Sequence, residues 1–315
     1  MEKPPLIILA GPTAVGKTDL SIALAKAVGG EIISCDSMQV YRYMDIGSAK
    51  ISQEEMQGVP HYLVDELLPT DEFNVAVFLD RAKKAMERIY DNGNIPIAVG
   101  GTGFYIQALL YDTEFTIEND SRIRGELEEI AATEGGEALF QRLKVIDPIS
   151  AEKIHPNNVK RVIRAIEYYE LHGKPISEHN EQERRKESPY QFCYFVLNDR
   201  REHLYQNIDK RVDLMLQAGL LDEVKDLRQR GYTRDLVSMQ GLGYKELLEY
   251  LDGDTSLEDA IYKIKRDTRH FAKRQLTWFR NKQEVIWVSK DEFDYQREQI
   301  LEYMLKKLQE NNIIS

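Results

Sequence analysis

The chain has little cysteine and no long apolar run. Cys35 and Cys193 are the only cysteines among its 315 residues, too few for a disulfide framework or a structural zinc site. No apolar run approaches the roughly 18 residues of a membrane-spanning helix. The start, Met1 to Pro5, lacks the charged-then-apolar pattern of a signal peptide. These absences exclude a disulfide-stapled secreted domain and a membrane protein, so we expect a soluble, cytoplasmic chain.

Positive charge is also in deficit. The chain carries 42 Lys and Arg against 53 Asp and Glu, a net charge of −11. This excludes a globally basic nucleic-acid-binding protein, and any such surface must be a local patch on an acidic body. Internal repeats and low-complexity tracts are missing as well, which excludes a repeat array. With 42% hydrophobic residues, the length suits one large domain with an insertion, or two domains.

The most specific motif present is a phosphate loop near the N-terminus. It has the pattern G-x-x-x-x-G-K-T and consists of Gly11, Pro12, Thr13, Ala14, Val15, Gly16, Lys17 and Thr18. An apolar run precedes it, and a helical pattern with Leu20, Leu24, Ala27 and Val28 on one face follows it. Backbone N–H groups of such a loop surround an anion, Lys17 adds a positive charge and the Thr18 hydroxyl can bind Mg²⁺. The motif predicts a site for a di- or triphosphate.

The predicted secondary structure changes along the chain. Residues 1–111 alternate short apolar runs, at 6–10, 31–36, 61–65 and 95–99, with helical patterns, as in a parallel α/β sheet. From 112 to 187 short helices replace the strands. After them come a strand at 192–197, long helices at about 200–217, 220–230 and 256–281, a strand at 285–288 and a terminal helix. We therefore predict an α/β fold with a P-loop NTPase-like parallel sheet flanked by helices (1–111 and 188–315) and a small all-helical insertion (112–187).

Asp36 is the leading candidate for chemistry, because it ends the second predicted strand. Phosphate chemistry on a parallel sheet collects at the carboxyl ends of the strands, where a carboxylate can accept a proton or bind a metal through water. The alternative is a helix N-cap, a position that Asp favours. The neighbouring Ser37 and Gln39 carry groups of the kind that hydrogen-bond a nucleobase edge, and they favour the functional interpretation.

Weaker candidates lie elsewhere. The strand at 95–99 runs into Gly100-Gly101-Thr102, which suggests close approach of a substrate to the backbone, although the same residues also form plain turns. Basic residues cluster on two predicted helices, at Lys160, Arg161 and Arg164 and at Lys263, Arg266, His270, Lys273 and Arg274. A basic face is usually only solvated, but two on an acidic chain favour contact with a phosphate backbone. Arg211 is a lone candidate for clamping phosphate.

Two other function classes stay open at this point. The run His61–Glu66 could be a Walker-B strand ending in Asp65 and Glu66, which would favour a P-loop kinase or ATPase, although no arginine-finger signature accompanies it. A non-catalytic RNA-binding protein is the other alternative, and in it Asp36 and Lys17 would be incidental.

These residues resemble one family closely, the bacterial tRNA dimethylallyltransferases, also called tRNA isopentenyltransferases. The resemblance covers almost the whole chain. Its most specific parts are the phosphate loop, Ser34–Tyr41, Met44–Lys50, Pro60–Asp65, Val99–Tyr105, Ile154–Asn157 with Arg161 and Arg164, Gly241–Tyr244 and Ala272–Trp278. Ser48 and Ile51 stand where the family usually has Thr and Pro, and neither change threatens the chemistry.

The resemblance implies transfer of the dimethylallyl group of dimethylallyl diphosphate to N6 of adenosine 37 in the tRNA anticodon loop, with release of diphosphate. It implies Asp36 as the general base, Thr13 near the reacting centre, and Lys17, Thr18 and Mg²⁺ at the leaving diphosphate, with Arg211 as a further clamp. It implies that Asp65 has a structural role at the end of a strand. The implied tRNA contacts are Asp36, Ser37, Met38, Gln39, Thr102, Arg124, Lys160, Arg161, Val162, Ile163, Arg164, Gln240, Gly241, Leu242, Gly243, Tyr244 and Lys245.

A related alternative is an adenylate isopentenyltransferase, whose acceptor is a free mononucleotide. The basic face of the insertion and the segment from Gln240 to Lys245 argue against it, because a mononucleotide needs no such platform. We expect a monomer without an obligate protein partner.

Overall fold

The computed structural model describes residues 3–115, 121–282 and 284–314. The chain divides into two compact units. One comprises Met1–Leu110 and Pro189–Ser315, and the other comprises Tyr111–Ser188. Within the described ranges, no helix is both long and apolar enough to cross a membrane.

The first unit is built on a six-stranded sheet with the order β3-β2-β4-β1-β5-β6, in which all neighbouring strands are parallel. The strands are β1 (Pro5–Ala10), β2 (Gly30–Cys35), β3 (His61–Tyr62), β4 (Ile95–Gly100), β5 (Gln191–Asn198) and β6 (Ile286–Ser289). The central strands are apolar along nearly their whole length because helices cover both faces of such a sheet. The predicted α/β class is confirmed.

Helices of the same unit surround the sheet. They are α1 (Lys17–Val28), α2 (Val75–Asp91), α3 (Gly103–Leu110), α9 (Arg201–Gln217), α10 (Leu220–Gln229), α11 (Tyr244–Leu251), α12 (Leu257–Arg280) and α13 (Arg297–Glu310), with 3₁₀ turns at Ser238–Gln240 and Lys290–Phe293. The elements of the second unit are α4 (Ser121–Thr133), α5 (Gly136–Ile146), α6 (Pro148–Lys153), α7 (Val159–His172) and α8 (Ile176–Arg185). Leu127, Leu139, Leu143, Val162 and Ile166 belong to the apolar core of this second unit.

Local structure departs from the sequence prediction in two places. The strand expected at 61–65 stops after Tyr62, because Leu63 and Asp65 have positive φ angles of 62° and 58° that no strand accommodates. Ala27, expected on the buried face of α1, is exposed. The helix packs against both the sheet and α13, so Ile22 and Ala25 are buried instead.

Glu31 is a buried carboxylate that ties the outer strands together. It lies on β2 and accepts hydrogen bonds from Tyr62 Oη (2.6 Å), Asn94 Nδ2 (2.6 Å) and Asn92 Nδ2 (3.2 Å). Burial raises the pKa of Glu31, but the three hydrogen bonds outweigh burial and hold the pKa below its ordinary value. The charged form is therefore favoured in the folded chain, and it anchors the two-residue strand β3 to β2.

We expect Glu31→Gln to lower the free energy of unfolding at pH 7 by about 1–2 kcal/mol, because charge-assisted hydrogen bonds become neutral ones. Since the folded pKa is depressed, the contribution is complete above the ordinary carboxyl pKa and is lost as the pH falls through the folded pKa. Urea unfolding of both proteins should therefore show the difference shrinking between pH 6 and about pH 3. Glu302→Gln, on an exposed position of α13, is the control. A difference that stays constant over this range would contradict the assignment.

Candidate active site

The carboxyl ends of β1, β2 and β4 open into one large cavity of the first unit. Its volume is about 810 Å³. The phosphate loop, the residues after β2 and the turn after β4 line one part of it, and α9 and α12 line another. Parallel strands place their carboxyl ends at the same edge of a sheet, so three segments far apart in sequence meet here.

The phosphate loop runs from the end of β1 into α1. Lys17 Nζ donates to the carbonyl oxygens of Gly11 (3.0 Å) and Pro12 (2.8 Å), which holds its charge inside the loop. Burial, together with the charge of Arg211, lowers the pKa of Lys17 to about 8, and Asp36 opposes that shift. The loop therefore holds a cation whose charged form a bound anion would stabilise. Only glycine fits at position 11 of the loop, since a Cβ there would lie 2.6 Å from the carbonyl oxygen of Leu197.

Gln275 of α12 braces the phosphate loop from outside. Its Oε1 accepts the backbone N–H of Thr13 (2.9 Å), and its Nε2 donates to the carbonyl oxygen of Gly101 (3.0 Å). Lys290 Nζ adds a second brace by donating to the carbonyl oxygen of Val15 (3.1 Å). Neither side chain was a candidate for this purpose from the sequence. For Gln275 the available signal was its position three residues after Ala272 on the buried stripe of α12, where an amide needs partners.

Asp36 follows β2 directly and lines the cavity. Its Oδ1 accepts the backbone N–H groups of Met38 (2.8 Å) and Gln39 (3.3 Å), so it caps a turn, whereas its Oδ2 accepts no hydrogen bond from the described residues. Its negative charge partly offsets the lowering of the pKa of both Lys17 and Arg211 by burial. The carboxylate of Asp36 thus both caps a turn and lines the cavity.

Arg211 lies on α9 and lines the cavity. Burial lowers the pKa of Arg211, while Asp36 and Glu55 oppose that shift. Thr13, Thr18, Ser37, Met38 and Thr102 line the same cavity, as do Gln240, Gly241, Leu242 and Gly243. Apolar side chains form another part of its wall, among them Phe73, Tyr105, Val212, Met215, Ile264 and Phe271. The cavity therefore combines two half-buried cations, one carboxylate and an apolar wall.

The amide of Gln39 is engaged at both ends. Its Nε2 donates to the carbonyl oxygen of Ala49 (3.0 Å), and its Oε1 accepts from Ser34 Oγ (3.3 Å). Gln39 therefore shapes the cavity wall by holding the loop at Ala49, and its contact with a base edge stays a prediction. Ser37, by contrast, makes no side-chain hydrogen bond within the described ranges.

The prediction that Tyr244 contacts tRNA is corrected. The side chain of Tyr244 is fully buried and its Oη donates to Glu223 Oε1 (2.8 Å). The same Glu223 carboxylate accepts the backbone N–H groups of Asp45 (2.9 Å), Ile46 (2.7 Å) and Gly47 (3.1 Å). Glu223 and Tyr244 together hold the 45–47 turn at the cavity. Lys245, next along the chain, is exposed and lies outside the cavity lining.

Asp65 and Glu66, the residues that would define a Walker-B strand, serve other purposes. Asp65 forms an ion pair with Lys50 (2.8 Å). Glu66 accepts the backbone N–H of Leu63 (2.8 Å) and pairs with Arg81 (2.9 Å). Neither carboxylate lines the cavity. Their geometry gives no support to an ATPase.

The second unit carries the expected basic residues Lys160, Arg161 and Arg164 on α7, and Arg124 lies on α4. Lys160 and Arg161 are exposed on α7, while Arg124 and Arg164 point to Glu167. The expectation that Val162 and Ile163 contact tRNA is wrong for their side chains, which are 0% and 4% exposed and belong to the apolar core of this unit. Their burial follows from the helical period, which turns them away from Lys160 and Arg161.

Comparison with known proteins gives consistent results. A family model described as IPP transferase matches residues 39–282. The tRNA dimethylallyltransferase of Lachnoclostridium phytofermentans is 63% identical over 312 residues, covering 98% of this chain and 99% of that protein. The enzyme of the same name from Acetivibrio thermocellus is 52% identical, covering 92% and 93% of the two chains.

Solved structures are similar over most of this chain. The tRNA isopentenylpyrophosphate transferase of Bacillus halodurans is 46% identical with a TM-score of 0.73, covering 98% of each chain. A eukaryotic dimethylallyltransferase solved acting on tRNA is 32% identical with a TM-score of 0.78, covering 91% of this chain and 74% of that one.

We expect Gln275→Leu to weaken binding of inorganic diphosphate by about tenfold, because Thr13 and Gly101 lose their shared partner inside a buried site. Isothermal titration calorimetry with the intact chain measures this. Gln299→Leu, an exposed change on α13, is the matched control. Equal affinities in the two variants would show that the brace has no effect on the loop.

The pH dependence of binding tests Lys17. Because its pKa is lowered to about 8, the cation is present below that pH and is lost as the pH rises through it, so diphosphate affinity should fall between pH 7 and 9. The Lys17→Arg variant retains a charge throughout this range. The ratio of the two affinities therefore removes the ionisation of diphosphate itself. A ratio that does not change with pH would contradict the shifted pKa.

Proposed function

The chain belongs to the IPP transferase family, and from that membership and the geometry of its cavity we propose the reaction and the residues that carry it out. It transfers a dimethylallyl group to tRNA. In our proposal the donor is dimethylallyl diphosphate, the acceptor is N6 of adenosine 37 in the anticodon loop, and diphosphate is released. The family membership predicted from the sequence is confirmed.

One observation carries this proposal. The phosphate loop, Asp36 and Arg211 line a single cavity that also has an apolar wall. A phosphate loop alone suits any nucleotide, whereas a prenyl diphosphate needs a charged end for its diphosphate and an apolar region for its five-carbon chain. The apolar side chains of α9 and α12 supply that region.

The reaction breaks the allylic C–O bond and forms a C–N bond to N6, which loses a proton. Negative charge develops on the leaving diphosphate, so the preorganised N–H groups of the phosphate loop and the charges of Lys17 and Arg211 stabilise the transition state more than the ground state. Thr13 lies in the loop with its N–H held by Gln275, and its hydroxyl orients the bridging oxygen. Asp36 accepts the N6 proton through the oxygen that the turn leaves unpaired.

Mg²⁺ is the expected cofactor, and the residues present fit it. No group of three His, Cys, Asp or Glu side chains that could hold a metal occurs among the described residues. Mg²⁺ binds readily to one or two protein oxygens together with substrate phosphates and water. Thr18 at the cavity would supply such an oxygen, with the diphosphate supplying others. The ion would add positive charge at the leaving group.

The acceptor adenine must leave its stack to reach Asp36, at a cost of a few kcal/mol that is lower in a loop than in a duplex. Ser37, Met38 and Thr102, together with Gln240, Gly241 and Leu242, would surround the extruded base. Arg124, Lys160, Arg161 and Arg164 of the second unit would contact the RNA backbone.

We expect Asp36→Asn to lower the rate of prenyl transfer by at least about 10²-fold while tRNA still binds, because the variant loses the base and keeps an oxygen to cap the turn. Single-turnover incorporation of radiolabelled dimethylallyl diphosphate into unmodified tRNA measures the rate. Asp91→Asn, at the exposed end of α2, is the control. Unchanged labelling in the Asp36 variant would refute its role as base, and label in AMP instead of tRNA would refute the acceptor.

A further inference from the structure

A buried carboxylate in the second unit holds two arginines from different helices. Glu167 lies on α7 with only 1% of its side chain exposed. Arg164 Nη1 of the same helix lies 3.1 Å from its Oε2, and Arg124 Nη2 of α4 lies 3.8 Å from the same oxygen. The two arginine side chains are themselves 41% and 46% exposed. One internal negative charge thus draws two guanidinium groups together at the surface.

The carboxylate is only partly satisfied by these contacts. Glu167 Oε1 is buried and has no hydrogen-bond partner among the described residues. Burying a carboxylate costs free energy, which its two cationic neighbours must offset. Its geometric effect is to restrain two long side chains that would otherwise sample many rotamers.

The surroundings of the two arginines suit an anion of extended shape. Lys160 and Arg161 project from the start of the same helix, are exposed, and form no ion pair within the described part of this unit. Arg124 and Arg164 thus share α4 and α7 with further cations, Lys160 and Arg161 among them, on a chain of net charge −11. Arginine forks bind phosphate oxygens bidentately, and such binding depends on their orientation.

We propose that Glu167 is a positioning residue, which holds Arg124 and Arg164 as a two-guanidinium site for the phosphate backbone of tRNA. This inference rests on the proposed function, because it takes tRNA as the ligand. Restraining the arginines before binding reduces the entropy lost when they contact phosphate. The carboxylate thus strengthens binding of an anion although it is itself negative.

That consequence separates positioning from simple electrostatics. Glu167→Gln removes one negative charge, so electrostatics alone predicts tighter tRNA binding. Positioning predicts the opposite, a loss of affinity of about fivefold, because both guanidinium groups become mobile. The salt dependence should be nearly unchanged, because the number of cations is the same.

The experiment measures the affinity for unmodified tRNA by fluorescence anisotropy at about 50 mM salt, where weakened variants still bind. Glu167→Gln is made in the wild-type chain and in an Arg124→Ala, Arg164→Ala background, which forms a mutant cycle. Glu170→Gln is the matched control, since it removes a carboxylate from the same helix that pairs with Arg142 instead.

A loss of affinity from Glu167→Gln in the wild-type chain that disappears in the background lacking both arginines supports the inference. An equal loss in both backgrounds overturns it, because the residue then acts on the fold of the unit. Unchanged or tighter binding, as expected for Glu170→Gln, also overturns it. If the wild-type chain binds no tRNA, the proposed function fails and the inference with it.

Discussion

Two hydrogen bonds of Gln275 hold the phosphate loop against the turn after β4, and the rest of the site depends on this contact. The amide accepts from the Thr13 backbone and donates to the Gly101 backbone, so it sets the spacing between two segments that different strands deliver. It belongs to α12, whose Ile264 and Phe271 form part of the apolar wall. One helix therefore sets the position of both the phosphate loop and part of the apolar wall of the cavity.

Many polar residues around the cavity support its walls and do not face the ligand. Glu223 accepts hydrogen bonds from three consecutive backbone N–H groups of the turn at 45–47, and the buried hydroxyl of Tyr244 donates a further hydrogen bond to the same carboxylate. Gln39 holds the backbone of Ala49 in the same way. Irregular loops carry backbone groups that no strand or helix pairs, so buried side chains must take that place. A precise cavity wall made of loops requires these residues.

The cationic side chains of the cavity favour the binding of an anion. On a chain of net charge −11, Lys17 and Arg211 lie at one cavity, and burial lowers the pKa of both. Each cation is thus held in an environment that penalises its charge until a negative ligand arrives. Asp36 partly compensates the two cations, and Oδ2 of its carboxylate accepts no hydrogen bond from the residues that the structure describes.

The sequence by itself determined what depends on local pattern. The phosphate loop, Asp36 at the end of β2, the parallel α/β class and the helical insertion all follow from short motifs and from hydrophobic periodicity. The family resemblance supplied the reaction. Only the tertiary structure decided the partners of side chains far apart in sequence. It paired Gln275 with Thr13 across 262 positions, buried Tyr244 against Glu223 and set Glu167 between Arg124 and Arg164. Periodicity shows that a side chain is buried or exposed on its own element, whereas its partners depend on how separate elements pack, and no local pattern encodes that packing.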